Sequence, residues 1–150
     1  MLPVVKKECI LCGENYKTKD EAIRAMVHAF GSAGYVTDEQ AFYQDVLKRE
    51  EEFPTFIGCA TAIPHGRSDA TVSSGLCVTT LSDPIVWTED GESVSLIIML
   101  AVVDGKEGAN KHLRLLAKLS RLLMHDDFRE ELQNGNAEET YALLTEKLQA

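Results

Sequence analysis

The chain is short of several things, and each shortage excludes something. Basic residues are outnumbered: 15 Lys and Arg stand against 24 Asp and Glu, a formal net charge of −9 over 150 residues. Nonspecific nucleic-acid binding needs a basic footprint, so nucleic acid is not an expected partner. Long apolar runs are missing. Val94 to Val103 includes Ser95 and falls well short of the roughly 20 residues of a membrane span, so no direct membrane insertion is expected. The opening residues, Met1-Leu2-Pro3-Val4-Val5-Lys6-Lys7-Glu8, lack the charge, apolar stretch and cleavage site of a secretory leader. A cytoplasmic location is expected. Cysteine is scarce, and in a reducing compartment Cys9, Cys12, Cys59 and Cys77 read as free thiols. Cys9 and Cys12 are spaced Cys-x-x-Cys, but no second pair or nearby histidine completes a zinc set. Strand-like residues separate them, so they also lack the helix-start placement of a redox pair. Walker loops, dinucleotide fingerprints and Ser-His-Asp arrangements are absent. No cofactor and no metal is expected.

What remains suits one domain over residues 1–150. Hydrophobic residues make up 45%, enough for a sizeable core. Cys9 to Cys12 reads as a short strand ending at Gly13. Thr18 and Glu21 form a capping box before a helix with Ala22, Ile23, Met26, Ala29, Phe30 and Ala33 on one face, stopped by Gly34. Asp38 caps a second helix with Phe42, Val46 and Leu47 inward, ending at Arg49-Glu50-Glu51-Glu52 before Pro54. Residues 55–81 read as extended, with a polar loop from Arg67 to Ser74. Ile85 to Trp87 is at most a short edge strand. Val94 to Val103 reads as a central strand covered on both faces, and Asp104 to Gly108 as a turn. Asn110 is placed to cap a helix running to Met124, followed by a shorter one from Asp126 to Gly135. A final helix begins at Asn136 and Glu139. Helices, then strands, then helices predict an α/β fold with helices on the sheet faces.

The chemistry concentrates at Ala62-Ile63-Pro64-His65-Gly66. Pro64 is rigid and lacks an N–H; Gly66 lets another group approach closely. A histidine between them is presented rather than packed. With an ordinary pKa of about 6.5, its neutral imidazole offers a nucleophilic nitrogen near neutral pH. The structural alternative is a turn histidine bonded to backbone. The sequence does not select which ring nitrogen would attack. His112 falls in the first turn of the helix that Asn110 would cap, on one stripe with Leu116, Leu119 and Leu123. There it would donate to a phosphoryl oxygen near His65; otherwise it is a satisfied core histidine. Arg49 ends a helix, where the dipole explains a cation; its guanidinium fork would also suit a phosphoryl group. Arg67 is a weaker phosphate candidate, read as an exposed loop arginine. Glu50, Glu51 and Glu52 read as a solvated charge run, with one available to accept from an imidazole. His28 and His125 read as non-catalytic.

These residues resemble the fructose/mannitol-type IIA domain of the bacterial sugar phosphotransferase system over nearly the whole chain. The resemblance rests on Arg49-Glu50, Pro54-Thr55, Gly58, Ala62 to Gly66, Pro84-Ile85-Val86-Trp87, the strand from Val94, and His112 opening a leucine-rich helix. Arg49 to Thr55 looks most like the galactitol-type branch. The resemblance implies an α/β fold with a mixed sheet between helices. It implies that His65 accepts a phosphoryl group from the phosphocarrier HPr and passes it to a IIB component, which serves the membrane protein IIC in sugar uptake. It implies that His112 and Arg49 stabilise the phosphoryl group. The alternative is a regulatory relative of the nitrogen-regulatory type, acting by phosphorylation-dependent binding. A metal site on His65 and His112 is a remote third reading, since no carboxylate or cysteine sits at ligand spacing.

Overall fold

The computed structural model describes residues 2–149. In chain order the elements are β1 (Val5–Glu14), α1 (Lys19–Ala33), α2 (Glu39–Glu52), β2 (Phe56–Gly58), β3 (Thr61–Ala62), β4 (His65–Ser68), β5 (Gly75–Val86), β6 (Ser93–Val103), α3 (Lys106–Leu123), α4 (Asp126–Asn134) and α5 (Ala137–Gln149). The sheet has six strands in the order β1-β5-β6-β3-β2, and β4 also pairs with β6. It is mixed: β5 and β6 are antiparallel, while β1 runs parallel to β5 and both β3 and β4 parallel to β6.

The period of two along β6 divides the core. Ile97, Met99 and Ala101 join Ile23, Met26, Phe30, Phe42 and Val46 under α1 and α2. Leu96, Ile98, Leu100 and Val102 join Leu119, Leu123, Phe128, Leu132 and Leu144 under the last three helices. A nearly continuous apolar strand follows from that two-sided burial.

Local chemistry sets the helix ends. The Thr18 hydroxyl accepts from the Glu21 N–H at 3.1 Å, and the Glu21 carboxylate returns to the Lys17 N–H at 3.4 Å. Gly34 closes α1 at φ +90°, a left-handed conformation that glycine adopts without strain. Asp38 accepts from the Ala41 N–H at 3.1 Å. Asn136 and Glu139 cap α5 reciprocally, at 2.8 and 3.2 Å.

Several boundaries differ from the sequence reading. β1 is longer than the Cys9–Cys12 segment, because Val5, Cys9 and Ile10 all bury against the sheet. Arg67 and Ser68 belong to β4 rather than a loop, paired to Val102 and Val103. Ile85 and Val86 are no separate strand; they are the far end of β5, reached across a register shift between Thr80 and Ile85 and paired to Val94 and Ser93. The irregular stretch includes exposed Pro84, which has no N–H to give a ladder. Finally, α3 begins at Lys106 and Asn110 does not cap it. Gly105, at φ +111°, turns the chain, and Gly108 seats the first turn directly on the end of β6.

Candidate functional site

His65 starts β4 opposite Leu100 of β6, so its side chain shares the sheet face that α3 covers. Its neighbour Gly66 faces the other way. A Cβ there would lie 2.8 Å from Val46 Cγ2 and 3.2 Å from Phe42, so the glycine serves close packing on α2 rather than ligand approach. Two backbone bonds fix the segment: Ile63 N–H donates to the Thr55 carbonyl at 3.0 Å, and Leu100 N–H to the Pro64 carbonyl at 3.0 Å. The His65 Nδ1 lies 3.1 Å from the Ile63 carbonyl oxygen. A carbonyl only accepts, so this bond requires a proton on Nδ1 and leaves the Nε2 lone pair bare in the neutral ring. Burial pushes the His65 pKa down, against the pull of the Ile63 carbonyl; Arg49 pushes it further down and Glu50 opposes.

His112 lies beside it, with ring centroids 4.9 Å apart and planes tilted by 39°. Because α3 starts early, His112 occupies the second turn of the helix, not the first, and the helix terminus does less for it than the sequence reading supposed. Its Nδ1 is buried without a hydrogen-bond partner among the described residues. Its pKa is lowered to about 4, by burial first and then by His65, Arg67 and Arg49. Both rings are therefore neutral at neutral pH.

In the unfolded chain His112 titrates at about 6.5, and in the fold at about 4. Between those values the unfolded state binds a proton that the native state refuses. The stability His112 contributes is present above the unfolded pKa and lost as pH falls through the folded one. Thermal melts over that window should show wild type losing stability faster than His112→Asn. Parallel curves would remove His112 as the cause.

Arg49 lies in the last turn of α2, where its Nη1 donates to the Phe53 carbonyl at 2.8 Å. Its charge reaches both histidines. Arg67 lies two residues beyond His65 on the same strand face, with Nε 3.5 Å from Asp104 Oδ1. The sequence reading ranked it below Arg49, yet at His112 its field precedes that of Arg49. Two residues apart on a strand share a face, a signal hidden by reading the segment as loop. His28 is exposed and pairs with Glu39, while His125 sits at the start of α4. Cys9 and Cys12 face opposite sides of β1 and pack against different core clusters, so they cannot act as one dithiol. The described residues contain no cluster of three or more His, Cys, Asp or Glu placed to hold a metal.

Residues 3–147 match the family described as phosphoenolpyruvate-dependent sugar phosphotransferase system, EIIA 2. The chain belongs to that family. It is 31% identical to the fructose-like EIIA component of Escherichia coli K12 over 116 residues, 77% of each chain. It is 28% identical to the 2-O-alpha-mannosyl-D-glycerate-specific EIIABC component of Escherichia coli K12, over 86% of this chain and 20% of that protein. The chain thus spans about a fifth of the length of such multidomain relatives. It also resembles the solved complex of enzyme IIA-mannitol with phosphorylated enzyme IIB-mannitol from Escherichia coli. There the TM-score is 0.79 at 25% identity, covering 94% of this chain and 96% of that one.

Two further features of this EIIA domain complete its description. Glu50 is not part of a solvated run: Glu51 and Glu52 are exposed, but Glu50 is 7% exposed. Helix phase turns it under the end of α2, where Lys19, Thr55 and Trp87 supply donors. The other feature is a groove of about 1210 Å³ lined by Leu2, Val72, Ser74, Lys111 and Arg114 among others, which includes neither His65 nor His112. No helix among the described residues is long and apolar enough to cross a membrane.

Proposed function

We propose that the chain is a phosphocarrier, with His65 as its phosphorylated residue. The observation that carries this reading is the bond from Nδ1–H to the Ile63 carbonyl, which leaves Nε2 bare beside His112. Nε2 attacks the phosphorus of the HPr phosphohistidine. The new N–P bond forms as the old one breaks, and the HPr nitrogen leaves with its electron pair. No proton has to depart from Nε2. The phosphorylated ring becomes cationic, and its Nδ1–H bond to the carbonyl becomes charge-assisted. Delivery to a IIB partner is a second displacement: a cysteine thiolate attacks the phosphorus, the S–P bond forms as the N–P bond breaks, and Nε2 recovers its electron pair. That partner serves sugar uptake through IIC.

Such transfer requires little covalent help. It requires in-line positioning and donors for charge on the three equatorial oxygens. Arg49 offers a guanidinium fork, and neutral His112 offers one N–H. The charge of −9 suits docking to a basic donor surface and would raise the association rate. A cytoplasmic location accords with that donor.

The test is intact mass after incubation with phosphoenolpyruvate, enzyme I and HPr, followed by addition of IIB proteins from the same organism. One acid-labile phosphoryl group that then moves to a IIB supports the carrier. A phosphoryl group that no IIB accepts would favour the regulatory alternative. Arg49→Lys keeps the charge but loses the planar fork. It should slow transfer about 10–100-fold with an unchanged melting temperature. Wild-type kinetics would remove Arg49 from the site.

A further inference from the structure

Glu50 accepts four hydrogen bonds from three separate parts of the chain. Its Oε2 takes Lys19 Nζ at 3.0 Å, the Thr55 N–H at 2.9 Å and Trp87 Nε1 at 3.2 Å; its Oε1 takes the Thr55 hydroxyl at 2.6 Å. Lys19 is also held over the Trp87 ring, 4.6 Å from its centroid, and donates to the Trp87 carbonyl. A buried carboxylate is costly unless its lone pairs are satisfied, and here they are. Such a network is more than a local ion pair, because Thr55 carries it onward. The Thr55 carbonyl accepts from Ile63 N–H at 3.0 Å, and the Ile63 carbonyl faces His65 Nδ1 at 3.1 Å. A continuous series of bonds therefore runs from α1, α2 and Trp87, just past β5, to the imidazole of His65.

We propose that Glu50 is a positioning residue for His65: through Thr55 and Ile63 it holds the imidazole in the Nδ1–H form that leaves Nε2 bare. The structural content stands without the phosphocarrier reading; only its consequence for transfer rests on that reading. An imidazole in water prefers the Nε2–H tautomer, which would protonate the nitrogen that has to attack. A carbonyl held in place against Nδ1 reverses that preference, and Glu50, through Thr55, holds the segment between β3 and β4 that carries it. Groups that position a catalytic histidine in this way commonly govern its reactivity without touching the substrate. The same anchor holds the loop whose Phe53 carbonyl receives the Arg49 guanidinium, so Glu50 supports both candidate groups at once.

Two substitutions separate geometry from charge. Glu50→Gln removes the charge but keeps the length; its oxygen can accept the three Oε2 donors while the Thr55 hydroxyl turns to accept from the new amide. Glu50→Asp keeps the charge for Lys19 but withdraws the carboxylate by about 1.5 Å, one C–C bond, which breaks the bonds to Thr55. The first readout is nitrogen-15 NMR of the His65 ring in the unphosphorylated protein, with chemical shifts assigning the protonated nitrogen. The second is single-turnover phosphorylation by phospho-HPr.

The wild type should show a protonated Nδ1 and a bare Nε2. Glu50→Asp should shift His65 toward the Nε2–H tautomer and slow phosphorylation about 10–100-fold, with an unchanged apparent affinity for phospho-HPr. Glu50→Gln should keep the wild-type tautomer and lose no more than a few-fold in rate. A wild-type tautomer in folded Glu50→Asp would overturn the proposal. So would loss of the tautomer in Glu50→Gln but not in Glu50→Asp, because charge rather than geometry would then be at work. A wild-type spectrum with Nε2 protonated overturns it without any variant. A wild-type protein with the expected tautomer that HPr fails to phosphorylate would defeat the phosphocarrier reading and leave the positioning of His65 intact.

Discussion

His65→Ala should abolish phosphorylation completely, and intact mass after incubation with phosphoenolpyruvate, enzyme I and HPr should show it. The expectation is absolute because the second histidine is a poor substitute. The His112 pKa of about 4 marks a weakly basic ring, and its Nδ1 is buried. Nothing described holds its other nitrogen unprotonated in the way the Ile63 carbonyl does for His65. The loss should be chemical rather than structural. Alanine removes one hydrogen bond, a net contribution of about 1 kcal/mol, which in a chain of this size lowers the melting temperature by roughly 2–4 °C. His112→Ala should slow phosphorylation about 10–100-fold without preventing it. If His65→Ala still accepted a phosphoryl group to the wild-type extent, the nucleophile would lie elsewhere, and peptide mapping would distinguish His112 from exposed His28.

The parts of this site that were legible in the sequence are those governed by local chemistry. Pro64, His65 and Gly66 are adjacent, and their conformational restrictions operate within three residues. The helix caps at Thr18, Asp38 and Asn136 were equally legible, because each bond closes within one helical turn. So was β6, since an apolar run covered on both faces has few alternatives.

What was not legible depends on distant donors. Glu50, Glu51 and Glu52 are chemically identical in the sequence. Only helix phase, together with Lys19 and Trp87 at separations of 31 and 37 residues, selects the first for burial. Arg67 reads as loop because a four-residue strand paired with β6 leaves little pattern of its own. The tautomer of His65 was beyond sequence reasoning altogether, because it depends on where the Ile63 carbonyl points. The start of α3 is hidden for a different reason: Asn110 has the chemistry of a cap, and Gly105 and Gly108 have the look of a turn. Propensity was overridden by a backbone contact that no local rule encodes.

That contact yields the second large effect. Gly108→Ala should damage both stability and transfer, although glycine has no side chain to reach either histidine. A Cβ at Gly108 would lie 1.7 Å from the Val103 carbonyl oxygen and 2.7 Å from its carbon. Both atoms are backbone at the end of β6 and cannot rotate away as a side chain would. The first turn of α3 must instead lift off the strand. Overpacking of this kind costs about 1–3 kcal/mol, or roughly 2–12 °C in melting temperature. Gly108 and His112 are four residues apart and share a helix face, so the lift is transmitted to the ring beside His65. A displacement of about 1 Å can cost on the order of 100-fold in rate. Since the damage acts through His112, the double variant Gly108→Ala/His112→Ala should transfer no more slowly than His112→Ala alone. Additive losses would mean that the helix start supports His65 by some route other than His112. Unchanged transfer in Gly108→Ala would show that the pair of imidazoles tolerates separation.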